Sequence, residues 1–151
     1  MLAHGADLDA VDDEFGAPPL GWANEKGHVE LARYLLERGA HVSLNLAAAC
    51  GFIERVRALL AAQSPVNEIN GFGAPLHGAA VWGQPEIAAL LLAHGADAEL
   101  RNRDGRTPLE IARQQIETNG QGTPIVLEGR RAEIVKGCAA VIEALQGRAN
   151  C

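Results

Sequence analysis

The sequence predicts an all-α fold, a solenoid of stacked helix-turn-helix units, and three observations predict it. The hexapeptide Leu2-Ala3-His4-Gly5-Ala6-Asp7 recurs as Leu92-Ala93-His94-Gly95-Ala96-Asp97. Leu76 and Leu109 open two matching segments 33 residues apart, a spacing typical of stacked helical repeats. Between Ala74 and Asp97, prolines and glycines cut an apolar stretch into two short helices. Pro75 suits a first helical position, Gly83 breaks the run, Pro85 restarts it, and Gly95 stands where a left-handed C-terminal residue belongs.

Composition agrees with such a stack and excludes several functions. Apolar residues make up 48% of the 151 and aromatics only 4%, so the interior is built from Ala, Leu, Val and Ile in closely packed helices. With 13 basic against 19 acidic residues the formal net charge is -6, the opposite of a nucleic-acid binder's balance. No apolar run approaches the roughly 20 residues of a membrane span, and Met1 to Gly5 do not read as a secretion signal, so the expected location is cytoplasmic. Cys50, Cys138 and Cys151 are odd in number and share no ligand spacing; they read as reduced thiols, with Cys50 and Cys138 as small buried hydrophobes.

Taken in order, residues 1–151 form one repeat domain. Residues 1–9 are the end of a truncated repeat, whose uncovered face would suit a homodimer. Residues 10–40 are a full repeat: Gly16 to Leu20 enter a helix running through Trp22, Gly27-His28 turn the chain, and Val29 to Arg38 form the second helix. There Leu31, Ala32, Leu35 and Leu36 share one apolar stripe predicted to pack on a neighbouring repeat. Residues 41–67 are abbreviated. Leu44 follows Ala40 by only 4 positions, whereas Leu109 follows Ala96 by 13. The segment ends on Gln63-Ser64-Pro65 in place of Gly-Ala-Asp, and Gln tolerates a left-handed backbone poorly.

Residues 68–98 are the regular repeat, preceded by the turn-rich Glu68 to Gly73. In residues 99–146, Thr107 and Glu110 read as a capping box around Pro108. Leu76 reaches Glu86 in 10 residues, whereas Leu109 reaches the matching Glu133 in 24, so about 14 residues are inserted near 118–130. Asn119 to Pro124 signal a turn and Ile125-Val126-Leu127 a short β-prone run, together a structured surface loop. A terminal helix follows from Arg131 to Gln146, and 147–151 is a frayed tail.

Ala74-Pro75-Leu76-His77-Gly78-Ala79 and Asp104-Gly105-Arg106-Thr107-Pro108-Leu109 resemble the ankyrin repeat, whose signature is Thr-Pro-Leu-His-x-Ala. The resemblance covers nearly the whole chain. It implies short β-hairpin fingers before each helix pair, and a finger deleted from the second repeat. Ala74 and Pro18 replace the family's Thr, and Gly21 and Asn45 its His, which weakens local capping.

Chemistry finds little footing. His4, His28, His77 and His94 occupy positions the repeat explains, and only His41 is left over; no pair has metal-ligand spacing. There is no nucleophile elbow, and Asn119 to Gly122 lack the Lys-Ser/Thr ending of a phosphate loop, so neither an enzyme nor a cofactor is indicated.

The surface remains. The resemblance implies a protein-binding module, a scaffold whose concave face is lined by fingers and first helices and engages a partner protein. Positions facing the groove would be Glu25 and Lys26, Ala49 and Cys50, Val81 and Trp82, Gln114 and Gln115. Trp82 is the expected anchor, with semi-exposed core as its bland counterpart; Trp22 matches Leu46 and Gly78 and is expected between helices. Acidic residues Asp12, Asp13 and Glu14 at the first finger tip and basic Arg101, Arg103 and Arg106 at the last, about three repeats away, form a charge gradient that would orient a partner of mixed charge, with a simply solvated face as the alternative. Phe15 and Phe72 flank the missing finger, where a notch would admit a partner loop. Two other readings stand beside this one: an inhibitory or immunity-type subunit that occludes a partner enzyme, and an enzyme or metal-dependent domain using the 118–130 insertion, with His41 or a cysteine meeting carboxylates there.

Overall fold

The computed structural model describes residues 7–13, 18–25, 28–70, 73–120 and 128–149. Its elements follow the prolines and glycines of the sequence: α1 (Pro19–Glu25), α2 (Val29–Glu37), α3 (Leu44–Cys50), α4 (Ile53–Ala61), α5 (Pro75–Val81), α6 (Pro85–Ala93), α7 (Pro108–Gly120) and α8 (Glu128–Ala149). They pair in chain order, and the chain forms two compact units, Met1–Ser43 and Leu44–Cys151.

One turn recurs. His28 N–H donates to Ala23 O (2.8 Å), Phe52 N–H to Ala47 O (3.0 Å) and Gln84 N–H to Ala79 O (2.8 Å), folding each second helix back on its first. The second helices also end alike. Ala40 N–H reaches Leu35 O, Ser64 N–H reaches Leu59 O and Ala96 N–H reaches Leu91 O, while the residue before each donor bonds one turn back, the Schellman pattern. That pattern requires a left-handed residue, supplied by Gly39 (φ 91°) and Gly95 (φ 90°) but at the middle site by Gln63 (φ 61°). The sequence substitution is thus accommodated as backbone strain.

In the first unit α1 packs on α2, burying Leu20, Ala23, Ala32 and Leu35. The expected four-residue stripe is only partly covered: Leu31 is 48% exposed and its i+3 neighbour Tyr34 is 41% exposed, with the Arg38 guanidinium 4.9 Å above the Tyr34 ring. A stripe that wide needs cover on two sides, and α1 provides one. Trp22 is half-buried, and its indole N–H donates to Asp12 Oδ2 at 2.9 Å.

In the second unit the first helices α3, α5 and α7 lie side by side, and so do α4, α6 and α8. Alanine makes this close approach feasible: Ala47, Ala48, Ala79, Ala80 and Ala112 are all fully buried. The tightest contact is between backbones. A Cβ on Gly137 of α8 would collide with Gly83 O in the α5–α6 turn, so the terminal helix seats directly on that turn. Beside it the buried Cys138 Sγ donates to Ala80 O at 3.3 Å, and burial pushes its thiol pKa up to about 11. Neither Cys50 nor Cys138 forms a disulfide, and Cys50 is half-buried rather than buried; Cys151 lies outside the described residues.

The insertion lengthens helices. α7 has 13 residues where α3 and α5 have 7, and α8 has 22 where α4 and α6 have 9. Asn119 and Gly120, expected in a turn, end α7, because no proline or glycine interrupts the chain from Leu109 to Asn119. The β-prone Ile125 to Leu127 lie outside the described residues. The expected frayed tail is helical through Ala149, since one glycine, Gly147, costs a helix only about 1 kcal/mol. Among the described residues there is no strand; the finger before α5 holds a single antiparallel bridge, Asn70 with Gly73. Six residues join α2 to α3 (38–43), against thirteen from α4 to α5 (62–74), in keeping with the short interval after Ala40.

Replacing Gln63 by Gly removes a left-handed side chain at the expense of a more flexible unfolded chain. A net gain of about 0.5–1 kcal/mol is expected, read as a higher urea midpoint at unchanged slope; a lower midpoint would contradict the strain.

Candidate functional site

The second unit's cleft begins with a five-residue loop that its own sequence closes. Asn102 Oδ1 accepts from Asp104 N–H (3.0 Å) and Arg106 N–H (3.1 Å), an Asx-type turn, while Asn102 N–H donates to Arg106 O and Gly105 (φ 75°) lets the chain reverse. The capping box expected after it is present: Thr107 N–H donates to Glu110 Oε2 at 2.8 Å and Glu110 N–H to Thr107 Oγ1 at 3.3 Å. The Thr107 N–H bond, aided by Arg101, holds the Glu110 carboxyl below its ordinary pKa.

A buried histidine ties this finger to the preceding repeat. His77, with no exposed surface, accepts Ala74 N–H at Nδ1 (3.1 Å) and therefore carries its proton on Nε2, which donates to Arg106 O (3.1 Å). Burial lowers its pKa below the ordinary 6.5. Asn45, the residue standing where the family has His, does the same one repeat earlier: its Nδ2 donates to Gly73 O and to Glu68 O (3.3 Å). Gly73 and Arg106 are 33 residues apart, so the two side chains serve equivalent carbonyls. Asn45 thus keeps the link to the following finger, a different bond from the local cap that His77 makes to Ala74 N–H. Asn67 adds a further brace, accepting from Asp97 N–H (2.8 Å) and donating to Gly95 O (3.2 Å).

Held this way, the finger, α5 and α7 surround an open cleft of about 450 Å³. Val81 and the buried Ile111 give it an apolar floor. Asn102, Arg103, Asp104, Arg106, Gln114, Gln115 and Thr118 give it a polar rim. Arg106 Nη1 donates to Gln114 Oε1, laying its guanidinium along α7.

Of the residues singled out from the sequence, Val81, Arg103 and Arg106 converge here, and so do Gln114 and Gln115. Trp82 caps α5, half-buried and outside the cleft lining. Arg101 is engaged by the finger and the first turn of α7, donating to Gly105 O (2.6 Å) and pairing with Glu110 (3.5 Å). Glu25 ends α1, in the other unit, with its side chain outside the described set; Phe15, Lys26 and Phe72 lie outside the described residues, as does the proposed notch beside them. Asn102, Asp104, Ile111 and Thr118 had not been singled out, although Asn two positions before Asp-Gly is a legible turn signal. Among the described residues no group of His, Cys, Asp and Glu is placed to hold a metal ion, and no helix is long and apolar enough to cross a membrane.

Comparison with known proteins accords with this geometry. The model of three ankyrin repeats matches residues 44–121, and the single ankyrin repeat matches 15–45. The chain is 31% identical over 124 residues to the E3 ubiquitin-protein ligase Ufd4 of Drosophila melanogaster, covering 82% of this chain but only 4% of that protein. It is 35% identical to ankyrin repeat and SOCS box protein 11 of Danio rerio, covering 64% of this chain and 36% of that one. It is 34% identical to protein phosphatase 1 regulatory subunit 12A of Mus musculus, covering 63% and 9% respectively. The chain thus spans a minor part of each. With its paired helices, left-handed second-helix ends and His77 link, the chain belongs to the ankyrin-repeat family.

Proposed function

We propose that the chain is a non-catalytic protein-interaction module of the cytoplasm, and that a partner segment lies in the cleft between the 102–106 finger, α5 and α7. The observation that carries this reading is the convergence of an apolar floor, Val81 and Ile111, with a polar rim on an open cleft whose backbone is already fixed. A preformed site loses little conformational freedom on binding. Trp82, half-buried at the end of α5 and next in sequence to Val81, is proposed as a second anchor. A finer version, in which the bound partner is an enzyme that the module occludes or regulates, draws on the likeness to a protein named as a phosphatase regulatory subunit.

Cross-linking in cell extract with the wild type and with Val81→Glu tests the site. Partners recovered with the wild type should fall about tenfold or more with Val81→Glu at matched thermal stability; equal recovery would contradict a cleft-bound partner.

A homodimer is the second reading, favoured by Leu31 and Tyr34, adjacent on one face of α2 and both more than 40% exposed. Sedimentation at rising concentration should show a dimer that Leu31→Asp abolishes. A monomer throughout would dismiss it.

A further inference from the structure

Resting on the cleft reading above, we propose that the partner segment presents a single carboxylate side chain, from Asp or Glu, to Arg103 and Arg106, next to an apolar residue seated on Val81 and Ile111. Three features of the finger lead there. First, the chain carries a net charge of -6, yet the charged groups lining the cleft are two guanidiniums, Arg103 and Arg106, and one carboxylate, Asp104. The cleft is locally cationic by one charge on an acidic molecule, so a matching anion is drawn to this place rather than to the surface at large.

Second, the arginines of the finger are divided in use. Arg101 is engaged with Glu110 and Gly105 O, whereas among the described residues neither Arg103 nor Arg106 forms an ion pair. Arg106 is also held in place. Gln114 Oε1 accepts from its Nη1, and its own carbonyl is fixed by the buried His77. The remaining guanidinium N–H groups form a preset fork, the geometry that meets a carboxylate with two parallel hydrogen bonds.

Third, the balance of charge favours a monoanion. With Asp104 in the cleft, its charged lining sums to one positive charge, which a singly charged carboxylate neutralises and a phosphate carrying nearly two charges overshoots. Gln115 and Thr118 complete the polar rim, the Thr118 hydroxyl donating to Gln114 O (2.9 Å) within α7, and the two apolar floor residues suit an aliphatic side chain beside the acid.

A displayed library of random decapeptides, selected on the immobilised full chain, on Arg103→Glu/Arg106→Glu and on Val81→Glu, tests this. Both arginines are exposed, and the Arg106 carbonyl that His77 uses belongs to the backbone, so the double variant is expected to fold; its thermal midpoint checks that. The expected result is Asp or Glu enriched beside Leu, Ile, Val or Met on the wild type, with the acidic preference lost or inverted to Lys or Arg on the double variant. A synthetic peptide carrying Glu should then bind about tenfold tighter than its Gln counterpart, and tighter than its phosphoserine counterpart. Selected peptides without acidic residues that depend on Val81 would overturn the carboxylate and leave the cleft reading standing. Peptides indifferent to both variants would overturn the two together. No enrichment on the wild type, or tighter binding of the phosphoserine peptide, would also overturn the carboxylate.

Discussion

The second unit depends on a hydrogen bond made by a side chain that never meets solvent. His77 sits with no exposed surface, accepting a hydrogen bond from Ala74 N–H at the start of its own helix and donating one to the Arg106 carbonyl of the following finger. A hydrogen bond of this kind contributes only about 1 kcal/mol net, but removing one partner leaves buried polar groups unsatisfied at about 1–3 kcal/mol each. The link fixes where the 102–106 loop stands against α5 and α7, and so fixes the cleft. Asn45 shows that the requirement is for a planar side chain with an N–H donor at that position, not for an imidazole as such.

Much of the architecture was legible because it rests on local chemistry. Prolines at first helical positions, the Thr107–Glu110 box, the short interval after Ala40 and the left-handed site at Gln63 are each decided by residues close in sequence. What escaped notice was decided by distant partners. The spacing that marks Leu31 as core cannot say whether a second helix arrives to cover it, and in the first unit α1 covers only part of the stripe. The extra residues after Gln115 read as a loop because Asn-Gly pairs usually turn a chain, yet α7 packs on α8 and the helix extends to Gly120.

The candidate site was half legible for the same reason. The repeat pattern locates Val81, Gln114 and Gln115 on one surface, and charge alone points to the basic finger. It does not distinguish Arg101 from Arg103 and Arg106. That distinction comes from tertiary geometry: Arg101 closes back on Gly105 and Glu110, while the other two line the cleft. Large aromatics attract attention in a sequence, but Trp82 is half-buried at a helix end, and the surface that opens beside it is lined mainly by amides and guanidiniums. Relatives far longer than this chain match it over only a small share of their length.

A neutral, Nε2-protonated His77 holds the finger, and an NMR titration of the imidazole measures that directly. In the folded chain the pKa should lie below 6.5. Because the unfolded chain then binds the proton more readily, this group's contribution is complete above pH 6.5 and is lost as the pH falls from there through the folded value. The Arg106 and Thr107 resonances should move with it as the link to the carbonyl fails. A pKa at or above 6.5, or a ring that titrates while the finger's resonances stay still, would contradict the account.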